Sequence, residues 1–270
     1  MNWTDILLAA GILSGIGIVF GVVLGISAKK FYVEEDPRVE ELRSCLGGAN
    51  CGACGFAGCD AFAKALIEGQ ACPEDCTAAS ADNLEKMGQI MQVEVSEREP
   101  RVARVLCQGA FSVSKKRYDY EGYSSCRAVA QMAGGNKQCH YACIGLGDCA
   151  KKCAFDAIDI VDGVAIINAD KCTACGECVL ECPRHVIELI PKECNVTVRC
   201  SNHERAKIAK DACMRACIAC GRCAKACPQE AITIENYLAH IDPHKCNNCG
   251  ECVPVCPSNC IVVQTYKCDK

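Results

Sequence analysis

The sequence predicts an α+β chain in three parts: a single N-terminal transmembrane helix, a small, mostly helical four-cysteine domain, and two tandem copies of one cysteine-rich module. Three observations predict it. They are the uncharged run "ILLAAGILSGIGIVFGVVLGI" at 6–26, the crowded cysteines of "CLGGANCGACGFAGC" from Cys45 onward, and a self-match at a period of 74 residues. With 29 cysteines in 270 residues, one Trp and 5% aromatics, large side chains are too few to fill an ordinary core for this length. Something else must hold the fold together.

Disulfide scaffolds belong to short secreted chains, whereas this chain is long and its cysteines fall in C-x2-C steps that suit a metal cage. The net charge of −4 excludes a generally basic nucleic-acid binder.

The run at 6–26 matches the roughly 20 apolar residues that cross a bilayer. Lys29 and Lys30 follow it and Asp5 is the only charge before it, so the long C-terminal part is expected on the cytoplasmic side of a bacterial cytoplasmic (inner) membrane, after a single pass. A cleaved signal peptide is the alternative, but "MNWTD" is not a basic start and "ISAKK" is a poor cleavage site. Gly17, Gly21 and Gly25 recur every fourth residue, leaving one helix face flat enough to pack on a membrane-embedded partner. A charged linker, "KKFYVEEDPRVEE", follows, with Pro37 breaking any continuous helix.

Adding 74 to Cys126, Cys139, Cys143, Cys149, Cys153, Cys172, Cys175, Cys178 and Cys182 lands each time on a cysteine: Cys200, Cys213, Cys217, Cys223, Cys227, Cys246, Cys249, Cys252 and Cys256. In the second copy Cys217, Cys220, Cys223, Cys227 and Pro228 read C-x2-C-x2-C-x3-C-P, and Cys246, Cys249, Cys252, Cys256 and Pro257 repeat it. This resembles the two-cluster bacterial ferredoxin, in which three thiolates of a run hold one [4Fe–4S] cluster and the fourth crosses to the other. The resemblance implies one cluster on Cys217, Cys220, Cys223 and Cys256 and its partner on Cys246, Cys249, Cys252 and Cys227. Zinc knuckles also use C-x2-C pairs, but have no use for a third Cys at the same step before C-P.

In the first copy Leu146 stands where the second has Cys220. Cys172, Cys175, Cys178 and Cys153 complete one cluster; the other has Cys143, Cys149 and Cys182 and needs a fourth thiolate. Cys139 is the nearest candidate, and a three-iron cluster on three ligands is the alternative. Cys213, the counterpart of Cys139, is then spare, as are Cys107, Cys126 and Cys200. Cys107 follows "RVARVLC" and Cys200 follows "VTVRC", so both are expected at the ends of short strands. Cys107, Cys126, Cys200 and Cys213 could bridge the modules with a further cluster, or remain buried free thiols. "AIDIVDGVAII" and "AITIENYLAHI" read as hairpins at equivalent places, the first turning at Asp162-Gly163.

Nearer the membrane segment, Cys51, Cys54, Cys59 and Cys76 form C-x2-C-x4-C-x16-C. Gly52, Gly55 and Gly58 allow tight turns that aim amides inward, and Phe62 and Leu66 lie one helical turn apart after Cys59. On these grounds alone the site could hold zinc, and Cys72 competes with Cys76. "GANCGACGFAGC" is similar to the small four-cysteine Fe–S domain of the RnfB family of Rnf electron-transport complexes, which also places a membrane helix before this domain and ferredoxin modules with a "GLGDC" variant after it. The resemblance covers nearly the whole chain. Its spacing implies Cys76 as fourth ligand, although "CP" at Cys72-Pro73 departs from the family pattern. The expected divisions are 1–28 for the anchor, 29–43 for the linker, 44–98 for the four-cysteine domain, and 99–192 and 193–270 for the two modules. Cys45, Cys194, Cys260 and Cys268 fit no set.

No dinucleotide fingerprint, phosphate-binding loop or nucleophile elbow occurs, and His140, His185, His203, His240 and His244 are scattered. Five [4Fe–4S] clusters, and a sixth if the bridging site forms, make a wire for electrons, with other chemistry left to partners. The resemblance implies a protein that accepts electrons from soluble reduced ferredoxin and passes them to the other Rnf subunits, which reduce NAD and move Na+ or H+. Entry through the ferredoxin modules and exit through the Cys51–Cys76 site is the expected direction. An anchored polyferredoxin serving a hydrogenase or dehydrogenase would share the clusters without needing the Cys51–Cys76 domain; a zinc-rich structural protein would be colourless and redox-silent.

Overall fold

The computed structural model describes residues 3–30, 36–96, 99–132 and 134–264. Residues 31–35 of the linker and Cys268 lie outside the described residues. Helix α1 (Trp3–Lys30) ends on Lys29 and Lys30. Its described apolar side chains are exposed, from Trp3 through Phe20 to Ile26. Among the described residues no helix is long and apolar enough to cross a membrane.

Helix α2 (Pro37–Cys45) starts where Asp36 accepts a hydrogen bond from the Arg38 amide at 2.9 Å and Pro37 takes the first helical position, where its missing N–H costs nothing. Helix α3 (Cys59–Ile67), a 3-10 turn at Pro73–Asp75 and α4 (Ala81–Met91), capped by Ser80, complete a helical unit. The apolar positions of the three helices meet: Leu42, Phe62, Leu66 and Met87 are fully buried together. This small core holds one face of the loop 46–58 in place.

Strand β1 (Arg101–Val105) opens the next unit, followed by α5 (Cys126–Gln131), α6 (Asp148–Lys152), the hairpin β2 (Ile158–Val161) and β3 (Val164–Ile167), α7 (Glu177–Glu181) and β4 (Ile187–Pro191). The last unit runs β5 (Val196–Val198), α8 (Ala206–Ala212), α9 (Arg222–Ala226), the hairpin β6 (Ile232–Glu235) and β7 (Leu238–Ile241), and β8 (Ile261–Val263). All sheets are antiparallel pairs: β1 with β4, β2 with β3, β5 with β8, and β6 with β7. The cores are built from short aliphatics and cysteines rather than aromatics, as with Val105, Cys143, Cys149, Val186 and Ile187 in one unit and Val198, Cys217, Cys223, Cys260 and Ile261 in the other.

The 74-residue period holds for β2, β3, the start of β4 and α6, which map onto β6, β7, β8 and α9. It fails for the first strand of each unit. Val105 pairs with Ile187 and Val198 with Ile261, so the structural counterparts Val105 and Val198 stand 93 positions apart. The difference is an insertion. Between Cys107 and Cys139 the first unit carries a long excursion that includes α5, whereas Cys200 and Cys213 are separated by little more than α8. Part of the excursion ties the units together: Lys115 N–H donates to Ala212 O at 3.0 Å and Met214 N–H to Val113 O at 3.0 Å.

Two glycines in the first unit are demanded by this packing. Gly163 has φ +72°, and a Cβ there would fall into the Phe111 ring of the excursion; Gly145 has φ +84°, and a Cβ there would fall on the Gly163 carbonyl. In the second unit the corresponding residues are Ala219 and Tyr237, free of that neighbour.

Candidate cluster sites

Most of the described cysteines line one of five recesses. The first has about 390 Å³ of open and enclosed space and is lined by Cys51, Cys54, Cys59 and Cys76 with Gly52, Gly58 and Phe62. Cys72 is not among its lining residues: it is exposed and takes the N-cap of the 3-10 turn, its N–H donating to the Asp75 carboxylate at 2.8 Å. Asn50 fixes the other end of the loop, accepting from the Cys59 N–H at 2.8 Å. The Asn50 carboxamide lies so close that a Cβ at Gly58 would meet it at 2.9 Å, which is why this position takes glycine.

The second recess is lined by Cys126, Cys143, Cys149 and Cys182, and the third by Cys107, Cys139, Cys200 and Cys213. These groupings differ from the sequence reading, which put Cys139 with the first-module trio and Cys126 in the bridging set. The physical reason is the insertion. A count of 74 equates Cys126 with Cys200, yet the counterpart of Cys200 in space is Cys107, two residues beyond the end of β1 as Cys200 is beyond β5. Cys126 has no counterpart. It begins α5, whose N-cap Ser125 and the adjoining Asp148 bring it to the gap left at Leu146; Leu146 packs against the Cys126, Val129 and Ile144 cluster. Cys139/Cys213 and Cys107/Cys200 stand at equivalent places in the two units, which leaves Cys126 and the Leu146 position without counterparts.

The fourth recess is lined by Cys153, Cys172, Cys175 and Cys178, and the fifth by Cys217, Cys220, Cys223 and Cys256 together with Cys260. Cys260, unassigned from sequence, is buried with its sulfur 3.5 Å from that of Cys256, and stands where the first unit has Val186. The remaining set is close-knit too: the Cys252 thiol is pushed up to about 11, first by burial and then by Cys246, with Cys227 contributing. Cys45 is buried in the helical core, and the Cys194 thiol faces Pro243 O at 3.5 Å.

The donor chemistry suits an anionic iron–sulfur cluster. Burial pushes the thiols of Cys139 and Cys143 up to about 11 and those of Cys149, Cys178 and Cys200 to about 12, so these sulfurs become thiolates readily only with a cation in place. Amides are aimed at the sulfurs of the third recess. Gly109 N–H and Cys143 N–H donate to Cys107 Sγ at 3.2 and 3.4 Å, Cys217 N–H to Cys200 Sγ at 3.3 Å, and the Asn202 carboxamide to Cys139 Sγ at 3.3 Å. Among the described residues no three His, Cys, Asp or Glu side chains converge as a single-ion site. Each recess is lined by four or more cysteines, the number of thiolates a four-iron cluster takes.

Neighbouring recesses touch. Cys143 lines the second and donates to Cys107 of the third; Cys217 lines the fifth and donates to Cys200 of the third. Cys149 of the second and Cys178 of the fourth are electrostatic neighbours, as are Cys175 of the fourth and Cys51 of the first.

Comparison with known proteins agrees in kind. An Fe–S cluster family model matches residues 46–78, and two 4Fe-4S dicluster domain models match 142–187 and 216–260. The chain is 45% identical over 89% of its length, and 73% of the relative's, to the B subunit of the Na(+)-translocating ferredoxin:NAD(+) oxidoreductase complex of Acetobacterium woodii. It is 37% identical to the B subunit of the ion-translocating oxidoreductase complex of Methanosarcina acetivorans, over 87% of this chain and 89% of that one. With the B subunit of the proton-translocating ferredoxin:NAD(+) oxidoreductase complex of Clostridium ljungdahlii it shares 36% identity over 86% of this chain and 82% of the other.

Proposed function

The chain belongs to the RnfB family, the B subunits of ion-translocating oxidoreductase complexes, and from that premise we propose that it relays electrons from reduced ferredoxin into a membrane complex that couples ferredoxin oxidation and NAD reduction to Na+ or H+ movement. The observation that carries the reading is the row of touching, cysteine-lined recesses.

Six [4Fe–4S] sites are proposed. Cys51, Cys54, Cys59 and Cys76 hold the first. Cys153, Cys172, Cys175 and Cys178 hold the second, and Cys126, Cys143, Cys149 and Cys182 the third. Cys107, Cys139, Cys200 and Cys213 form the bridge; Cys217, Cys220, Cys223 and Cys256 follow, and Cys227, Cys246, Cys249 and Cys252 end the row. A bound cluster supplies one-electron exchange at a potential set by burial, charge and hydrogen bonding. The chain's own residues do the rest: glycine-rich turns bring amides to the sulfurs, and short aliphatics such as Val186 and Ile187 keep water from them.

Membrane attachment is part of the proposal. The described apolar side chains of helix α1 have no protein cover. Lipid on that surface, and a neighbouring protein's helix against the open face of Gly17, Gly21 and Gly25, account for it. Lys29 and Lys30 favour a cytoplasmic position for the rest of the chain.

Anaerobic mixing of the full chain in detergent with reduced ferredoxin tests the function. The chain's visible absorbance bleaches as ferredoxin is reoxidised, one electron lost for each gained; a chain that leaves reduced ferredoxin unchanged contradicts the reading.

A further inference from the structure

Lys137 is among the most deeply buried charged side chains described, at 2% exposure. Its Nζ donates to three main-chain carbonyls from three separate segments: Gly109 at 2.6 Å, Cys143 at 2.8 Å and Gly163 at 2.7 Å. Three acceptors at these distances require three N–H bonds, which the ammonium has and the neutral amine lacks. The same nitrogen lies 4.7 Å from the centre of the Phe111 ring, which also faces Lys116 at 5.0 Å. An unpaired buried cation is costly, and among the described residues no carboxylate forms an ion pair with it; Asp162 is an electrostatic neighbour but bonds to the Ser112 amide.

Its position explains the arrangement. Gly109 and Cys143 adjoin the thiols of the bridging and neighbouring first-module sites; burial pulls the Lys137 ammonium below the usual lysine range, and Cys107, Cys143, Asp162 and Cys213 oppose that pull, so the three carbonyls are what hold the charged form. Two arginines stand on the bridging side: Arg199, which donates to Val105 O and Cys107 O at 3.1 and 3.0 Å, and the exposed Arg215, which bonds to Gln108. Both line the bridging recess. The fifth recess, around Cys217, Cys220, Cys223 and Cys256, has no charged lining residue. At the place of Lys137 the second module carries Asp211, exposed and bonded to Lys115 and Gln138.

We propose that Lys137, supported by Arg199 and Arg215, is a built-in cation that stabilises the reduced state of the bridging cluster and of its first-module neighbour, making this junction the place where an electron rests on its way between modules. The inference rests on the six-site reading. The step is a one-electron reduction: the electron comes from ferredoxin or a redox mediator, and no bond to the protein changes. Reduction adds a negative charge, which a fixed ammonium in a poorly solvated site favours. Lys137 is thus a positioning and tuning residue, not a ligand.

The test is a mediated redox titration of the anaerobic full chain followed by low-temperature EPR. Cys213→Ser identifies the bridging component as the signal it removes. If Cys213→Ser loses neither iron nor any signal, the six-site reading falls and this inference with it, whereas a bridging signal that is present but unmoved in Lys137→Gln overturns this inference alone. With the component identified, Lys137→Gln is expected to lower its reduced-to-oxidised ratio at fixed potential about tenfold, equivalent to about 59 mV for one electron, and Lys137→Arg to restore it. An unmoved potential in Lys137→Gln at full iron content overturns the proposal. Should Lys137→Gln come out short of iron, Arg215→Gln at low ionic strength decides: a severalfold fall in the same direction supports the proposal, and no change overturns it.

Discussion

The two ferredoxin-like modules repeat the same hairpin, cysteine runs and terminal strand pair, yet only the second carries the regular cysteine spacing in both of its runs. In the first, Leu146 has replaced a cysteine and Cys126, borne on an insertion, lies at the resulting gap. The comparison teaches that ligand identity follows space rather than position in a repeat. The segment that ties the modules together through residues 113–115 is also the one that carries Cys126.

The largest effect that would break this comparison is loss of Cys126. Cys126→Ala should cost the chain about four iron atoms, or leave a three-iron signal, while leaving the bridging site loaded. Adding Leu146→Cys should restore the lost iron, because it recreates the pattern of the second module; iron measured on both variants checks it. Cys139→Ala should empty the bridge instead. A three-iron signal already present in the wild type would mean that Cys126 is not a ligand.

Gly145→Ala comes next. The added Cβ lands on backbone at a positive φ, so a loss of about 2–4 kcal/mol or failure of the first module to fold is expected, read by denaturant melts. The second module has Ala219 there already, at φ 52°, so Ala219→Gly should change stability far less. Ser125→Ala removes the cap of α5 and its bond to Asp148, which should cost about 1 kcal/mol and loosen the presentation of Cys126. Smallest of all, Cys260→Val copies Val186 into the second module and should cost less than about 1.5 kcal/mol with no iron lost. Loss of four iron atoms there would make Cys260 a ligand.

What could be read without the structure follows from how local each feature is. The Asp162-Gly163 turn, the strands ending before Cys107 and Cys200, and the helix leaving Cys59 depend on neighbours in sequence, and each is present. The exchange of Cys126 and Cys139 depends on the path of the insertion across the second module, which no periodicity encodes. The three-carbonyl nest of Lys137 is likewise tertiary, assembled from segments around 109, 143 and 163. Cys260 has no local signal because its neighbour across the fold, Cys217, lies more than forty positions away.

The central claim is that two modules share a sixth cluster built from two cysteines of each. Iron and acid-labile sulfide on the anaerobically purified full chain, measured beside Cys139→Ala, test it most directly. The account predicts about 24 iron atoms in the wild type and about 20 in the variant, with only four-iron EPR signals in both. About 20 in both would leave Cys107, Cys139, Cys200 and Cys213 as buried thiols and contradict it.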